Sequence, residues 1–214
     1  TYAWTLNGAP FTQTTADISI AAGGTYEVTA TNTLTGCETT KTIVVNESEF
    51  PLFDLNDLTV FDLTGDGSNR IEILTGIGAL GIGDYEFALD GGPYQDSPIF
   101  EDVPPGIHQV SVRDKNGCGT KSVAASVIGY PLYFTPNGNG QDDNWQVLGV
   151  NGVFQSHSLI YIFDRHGRLL AQIAPDGPGW DGTYNGTPMP ADDYWFRVGL
   201  EDGRTFTGHF SLIR

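Results

Sequence analysis

The chain has 214 residues, enough for one large domain or two to three small ones. It carries 26 Asp and Glu against 10 Lys and Arg, a formal net charge of −16, with only 17% of residues charged. That balance argues against a basic face for nucleic acid and against a polybasic membrane-surface segment, and no apolar run is long enough to span a bilayer as a helix.

Hydrophobic residues make up 39% of the chain and aromatics 12%, which is enough for packed cores. With 28 Gly, 12 Pro, one Met and three Lys, the composition favours turns and strands over helices, so an all-β chain is expected. The sequence opens at Thr1 with neither Met nor a signal peptide, and so reads as a fragment or a processed form.

In chain order, Tyr2-Ala-Trp-Thr-Leu-Asn-Gly8 reads as a middle strand of an immunoglobulin-like sandwich whose earlier strands are missing. Residues 1–46 are therefore expected to be a partial repeat. Within them, Thr25–Thr31 alternates, with Tyr26, Val28 and Ala30 on one face. Glu47-Ser48-Glu49 is a short polar joint, and 47–128 forms the second module. There Ile107–Arg113 places His108, Val110 and Val112 on one face and Ile107, Gln109, Ser111 and Arg113 on the other. A break at Gly129-Tyr130-Pro131 opens the third module, 129–214, in which Tyr194–Leu200 reads as a strand. Asn7-Gly8, Asn116-Gly117, Asn137-Gly138, Asn151-Gly152 and Asn185-Gly186 punctuate the chain at the strand spacing of sandwiches.

The first two modules are related. Gly24-Thr-Tyr-Glu-Val-Thr-Ala-Thr-Asn32, followed by Cys37, matches Gly106-Ile-His-Gln-Val-Ser-Val-Arg-Asp114, followed by Cys118, a period of about 80 residues. The two cysteines occupy equivalent places a module length apart, beyond disulfide reach, so Cys118 is expected to be a free thiol. For Cys37, a partner in the missing strands stays open. Charge divides unevenly. Residues 1–128 hold 17 acidic and 5 basic side chains, whereas 129–214 hold 9 acidic side chains and 5 basic ones, all Arg. Planar guanidinium forks suit specific protein contacts.

Catalysis has little support, and no enzyme is expected. His108, His157, His166 and His209 show no metal-ligand spacing, and there is neither a GxSxG motif nor a phosphate loop. Asp142-Asp143 and Asp192-Asp193 are neighbours that a strand would point to opposite faces. Calcium is the candidate cation. Asp62-Leu-Thr-Gly-Asp66 half-resembles the start of a calcium loop, and Asn137, Asn139, Asp142 and Asp143 offer hard oxygens on a Gly-rich backbone. The competing reading of both is a turn in which Asn and Asp accept from backbone amides. Trp145, Trp180, Tyr184, Tyr194, Trp195, Phe196, Phe206 and Phe210 crowd the last 70 residues. They are weighed as core first and as an exposed sugar-stacking platform second.

At the third module the residues resemble a family. Tyr130-Pro-Leu-Tyr-Phe-Thr-Pro-Asn-Gly-Asn-Gly-Gln-Asp-Asp-Asn-Trp145, Ile162-Phe-Asp-Arg-His-Gly-Arg-Leu-Leu170, Gly179–Phe196 and Gly203–Arg214 resemble, in order, the four motifs of the type B C-terminal sorting domain. That domain belongs to proteins exported by the type IX secretion system of Bacteroidota, gliding-motility adhesins among them. Asn139 and Asp142 depart from the usual opening motif, and Ile213 stands where Lys often precedes the terminal Arg. The upstream modules resemble the immunoglobulin-like adhesin repeats found before this domain.

The resemblance implies tandem immunoglobulin-like sandwiches ending in a Greek-key sorting domain. It also implies a non-enzymatic secretion signal on a large secreted or cell-surface protein that travels through periplasm and outer membrane. The implied partners are outer-membrane β-barrels, a shuttle and a surface-retention barrel. Candidate recognition residues are the turn and terminal-strand positions Trp180, Asp181, Gly182, Asn185, Gly186, Gly208, His209, Phe210 and Arg214. The alternative is a calcium- or glycan-dependent adhesive module.

Overall fold

Alternating apolar and polar residues build most strands of this all-β chain, which is a series of immunoglobulin-like modules, the first of them a single sheet here. The computed structural model describes residues 1–63, 68–76, 78–201 and 203–214. β1 (Tyr2–Leu6), β2 (Ala9–Phe11), β3 (Gly24–Thr31) and β4 (Glu38–Val45) form one antiparallel sheet in the order β2-β1-β3-β4. Trp4 and Tyr26 are buried on its inner face, and Phe11 meets Tyr26 edge-on at 5.8 Å.

A polar joint leads into a two-sheet sandwich. β5 (Leu58–Phe61) and β6 (Arg70–Ile73) pair antiparallel, followed in the chain by β7 (Tyr85–Leu89), β8 (Ile99–Phe100), β9 (Gly106–Asp114) and β10 (Thr120–Val127). One sheet runs β5-β6-β8 and the other β10-β9-β7. Phe53, Ile71, Phe87, Val110, Val112 and Val127 fill the space between them. His108, Val110 and Val112 do share the buried face of β9. Both ring nitrogens of His108 meet acceptors, Asp90 Oδ2 and the Pro104 carbonyl, each at 2.7 Å.

The repeat extends further than the matched segments. Asn7 and Asp90 sit at equivalent turns with φ near +50°, each followed by a positive-φ glycine. Asn7 Oδ1 accepts from the Thr25 amide at 2.9 Å, and Asp90 Oδ1 accepts from the Gln109 amide at 2.7 Å. Tyr26 donates to the carbonyl four residues upstream, just as His108 reaches Pro104. Tyr2–Gly8 therefore corresponds to Tyr85–Gly91, a match visible in both segments once they are aligned by their turns.

The last part of the chain contributes β11 (Tyr133–Phe134), β12 (Leu159–Phe163), β13 (Leu169–Ile173), β14 (Thr183–Tyr184), β15 (Thr187–Pro188), β16 (Asp192–Gly199) and β17 (Thr205–Leu212). Its main sheet runs β11-β17-β16-β12-β13, and β14-β15 form a separate hairpin. The chain leaves β13, makes that hairpin, and returns on the other side of β12, a Greek-key step. β17 is interior, antiparallel to β16 and parallel to β11.

Two joints hold the modules together. At the first, Glu47 Oε1 accepts from the Gly23 amide, while Glu49 Oε1 accepts from the Ile82 amide. Ser48 Oγ donates to Asp114 Oδ2 at 3.0 Å and lies 3.1 Å from Cys118 Sγ. Cys37 and Cys118 are both free thiols. Because Ser48 stands where a bridging partner would, Ser48→Cys is expected to form a disulfide with Cys118 that closes a 70-residue span. The expected gain is about 2–4 kcal/mol under oxidising conditions, abolished by reductant. Thiol titration alongside thermal unfolding checks it: one free thiol, Cys37, is expected in the oxidised variant, and three persistent free thiols would refute it. At the second joint, Asp62, nearly fully buried, receives Arg204 Nη1 at 2.6 Å and the Ile128 amide at 3.1 Å. Leu63, at φ +57°, packs against the C-terminal core, and Ser126 Oγ donates to the Gly149 carbonyl.

Candidate functional site

Three of the four C-terminal motifs converge on one aromatic cluster. Phe134 and Trp145 come from the first motif, Trp180, Tyr194 and Phe196 from the third, and Phe210 from the fourth. All six are buried. Phe210 stacks on Trp145 with ring centroids 4.0 Å apart and planes 14° apart. The Trp145 and Trp180 backbones exchange two hydrogen bonds of 2.8 and 2.9 Å, stitching the first and third motifs. Their indole N–H groups donate to the carbonyls of Pro131 and Thr183. Most of the aromatic crowd is therefore core, and Trp195, 41% exposed, is the main exception.

The Gly- and Asn-rich part of the first motif is a set of nested turns. Asp143 accepts from the amides of Asn137, Gly138 and Gly140 at 3.0, 2.6 and 2.7 Å. Asn137 and Asn139 each accept from the amide two residues on. The oxygens of Asn137, Asn139 and Asp143 are thus engaged with backbone, and a cation held by them with Asp142 would compete with amides for three of its four candidate side chains. Asp62, the other candidate ligand, is engaged by Arg204 and Ile128, and Asp66 lies outside the described residues. Among the described residues no three His, Cys, Asp or Glu side chains gather as a metal site would.

The second motif is the β12–β13 hairpin. Asp164 Oδ1 accepts from the amides of His166 and Arg168, both at 2.9 Å, and Arg168 lies over the Tyr184 ring. Hydrogen bonds from Gly140 and Gly138 hold the Asp143 carboxyl below its ordinary value of 3.8 against a smaller opposing desolvation. The Arg168 amide, then that of His166, does the same for Asp164. A depressed carboxyl adds stability that is complete above its unfolded pKa and is lost as pH falls through the lower folded value. The unfolding midpoint is accordingly expected to drop below about pH 4, and Asp143→Asn to shallow that drop. Acid titration monitored by circular dichroism checks it, and an unchanged acid profile in the variant would remove Asp143 from this role.

The recognition candidates divide by burial. Trp180 and Phe210 are core. Gly182 lies against Leu212, and Gly208 faces the Phe196 ring and Tyr130 hydroxyl so closely that a Cβ would sit 2.8–2.9 Å from them. Asp181 Oδ1 accepts from the Thr183 amide and hydroxyl. Arg214 donates to the carbonyls of Met189 and Gly182, tying the end of the fourth motif to the third. Asn185 and Gly186, at φ +51° and +76°, form the two-residue turn of β14–β15 and are exposed, as is His209. Trp195 stands outside the recognition candidates, named only within the aromatic cluster. Its signal was the alternation of β16, which buries Tyr194, Phe196 and Val198 and leaves Trp195 and Arg197 outside.

Residues 128–212 match the family model described as CHU_C Type IX secretion signal domain. This segment is a type IX secretion signal domain. No curated protein matches the chain. Among solved structures, dimeric latent PorU from Porphyromonas gingivalis is similar over 94% of this chain and 25% of its own, at 14% identity and a TM-score of 0.28. The chain thus spans about a quarter of PorU. The chicken CNTN1 FN1-FN3 domains are similar over 100% of this chain and 91% of theirs, at 13% identity and a TM-score of 0.26. The titin I-band fragment I67-I69 is similar over 99% and 87%, at 8% identity and a TM-score of 0.29. The match implies export to the cell surface or the extracellular space. Among the described residues no helix is long and apolar enough to cross a membrane.

Proposed function

We propose that this chain is the exported end of a larger surface protein: a partial repeat at 1–46, a full repeat at 47–128, and a signal module at 129–214 that outer-membrane barrels of the type IX system recognise. Its role is binding and presentation, with no covalent chemistry of its own. The family match over residues 128–212 carries this reading. The test is a passenger fused to the full chain, and separately to residues 129–214, in a bacterium with and without a working type IX system. System-dependent release or display of the full fusion is the expected result. Retention in the periplasm in both strains would refute the signal role. An adhesive module would instead respond to calcium, so a large shift of the unfolding midpoint between calcium and chelator would favour that alternative.

A further inference from the structure

The five-stranded sheet has an outer face as unusual as its core. Sandwich strands normally turn polar side chains to solvent. Here His209, Trp195, Phe163 and Leu169 stand side by side across β17, β16, β12 and β13. The row below is Thr207, Arg197 and Tyr161. Trp195 and Leu169 are 41% and 45% exposed, and the Trp195 and His209 rings lie 6.4 Å apart. Beside Trp195 opens a groove of about 370 Å³ lined by Phe163, Asp164, Arg165, Trp195, Arg197 and Thr207. An apolar patch of this kind marks a binding surface.

The charges of the groove say what kind. Arg165 is paired with Asp192 at 2.6 Å, and Asp164 with Arg168 and two backbone amides. Arg197 is the groove cation that has no carboxylate partner among the described residues. It is exposed on a chain of net charge −16. Trp, Tyr and Arg without Lys or Glu is the composition of protein-interface hot spots. A neutral glycan would want free carboxylates and amides beside the ring, and the groove's one carboxylate is already engaged.

We propose that this face docks the secretion signal domain onto its export machinery, and that the occupant is a protein segment bringing a carboxylate to Arg197 and an apolar side chain to the Trp195–Phe163 groove. The inference rests on the export reading and names its contact surface.

The test uses the full chain behind a passenger, with Trp195→Ala and Arg197→Glu beside the conservative Trp195→Phe and Arg197→Lys. Each purified variant is also melted, and wild type is tested for binding to neutral and acidic polysaccharides. Export is expected to fall at least about tenfold for the first pair, a hot-spot loss, while melting is unchanged and the conservative pair exports normally. Arg197 projects from the sheet, so Arg197→Glu carries the test even if Trp195→Ala unfolds. Wild-type export by folded Arg197→Glu would overturn the docking face and leave the export reading standing. Failure of the wild-type fusion to export would overturn both. Polysaccharide binding by wild type that Trp195→Ala abolishes without loss of export would assign the face to sugars instead.

Discussion

Phe210→Ala is expected to destabilise the secretion signal domain by about 3–5 kcal/mol and to deplete the exported protein with it. Phe210 is fully buried, stacked on Trp145 and ringed by Phe134, Trp180, Tyr194 and Phe196 at 5.8–6.3 Å. Truncation removes the ring that three of the four motifs share and leaves a cavity whose walls are large and rigid. Those walls cannot collapse onto the space, which places the loss at the upper end of core substitutions. Denaturant unfolding of the full chain measures it, and a loss below about 1 kcal/mol would mean that the cluster is not the stabilising core. The same geometry bears on C-terminal deletion. Removing β17 takes out an interior strand, so blocked export in such a deletion reports unfolding as much as a lost signal. Arg197→Glu separates the two because it leaves the core intact.

The second large effect is expected from Asp62→Ala. The Asp62 carboxylate is 3% exposed while the Arg204 side chain is 48% exposed, so the pair falls between surface bridges and fully buried ones. A loss of about 2 kcal/mol follows, because the Ile128 amide loses its acceptor as well. The loss should fall on the joint, so that the middle and C-terminal modules, expected to melt together in wild type, separate into two transitions. Exchanging the charges, Asp62→Arg with Arg204→Asp, is expected to recover part of the coupling. Calorimetry decides it: two transitions already present in wild type, neither moved by Asp62→Ala, would refute the coupling. A passenger fused to residues 129–214 alone lacks Asp62, so its export is expected to be weaker than that of the full chain.

Much of the architecture was legible because it is local. Alternation grouped Tyr26, Val28 and Ala30 on one face of β3 and His108, Val110 and Val112 on one face of β9, it marked β16 as a strand, and Asn185-Gly186 announced its two-residue turn. The roles of individual residues were less legible. Trp180 and Phe210 sit beside turns and near the end of the last strand, which made them recognition candidates. Only the sheet order, which brings β17 between β11 and β16, shows that their rings meet in the core. Asp62 looked like a loop ligand because its partner is 142 residues away. Trp195 was hidden for the opposite reason. It lies among aromatics that are buried, and a list of rings does not say which face each one takes.

The interior place of β17 also sets an order of events. Strand β11 is made early and β16 only just before β17, so the parallel β11–β17 pair waits for residues 205–212. Such distant pairing is slow and comes late, whereas the repeats upstream close on near neighbours. A ribosome that stalls before residue 205 therefore releases repeats able to fold and an export tag that is not. Under the proposed export role, only chains translated past β17 would carry a folded signal for another protein to inspect.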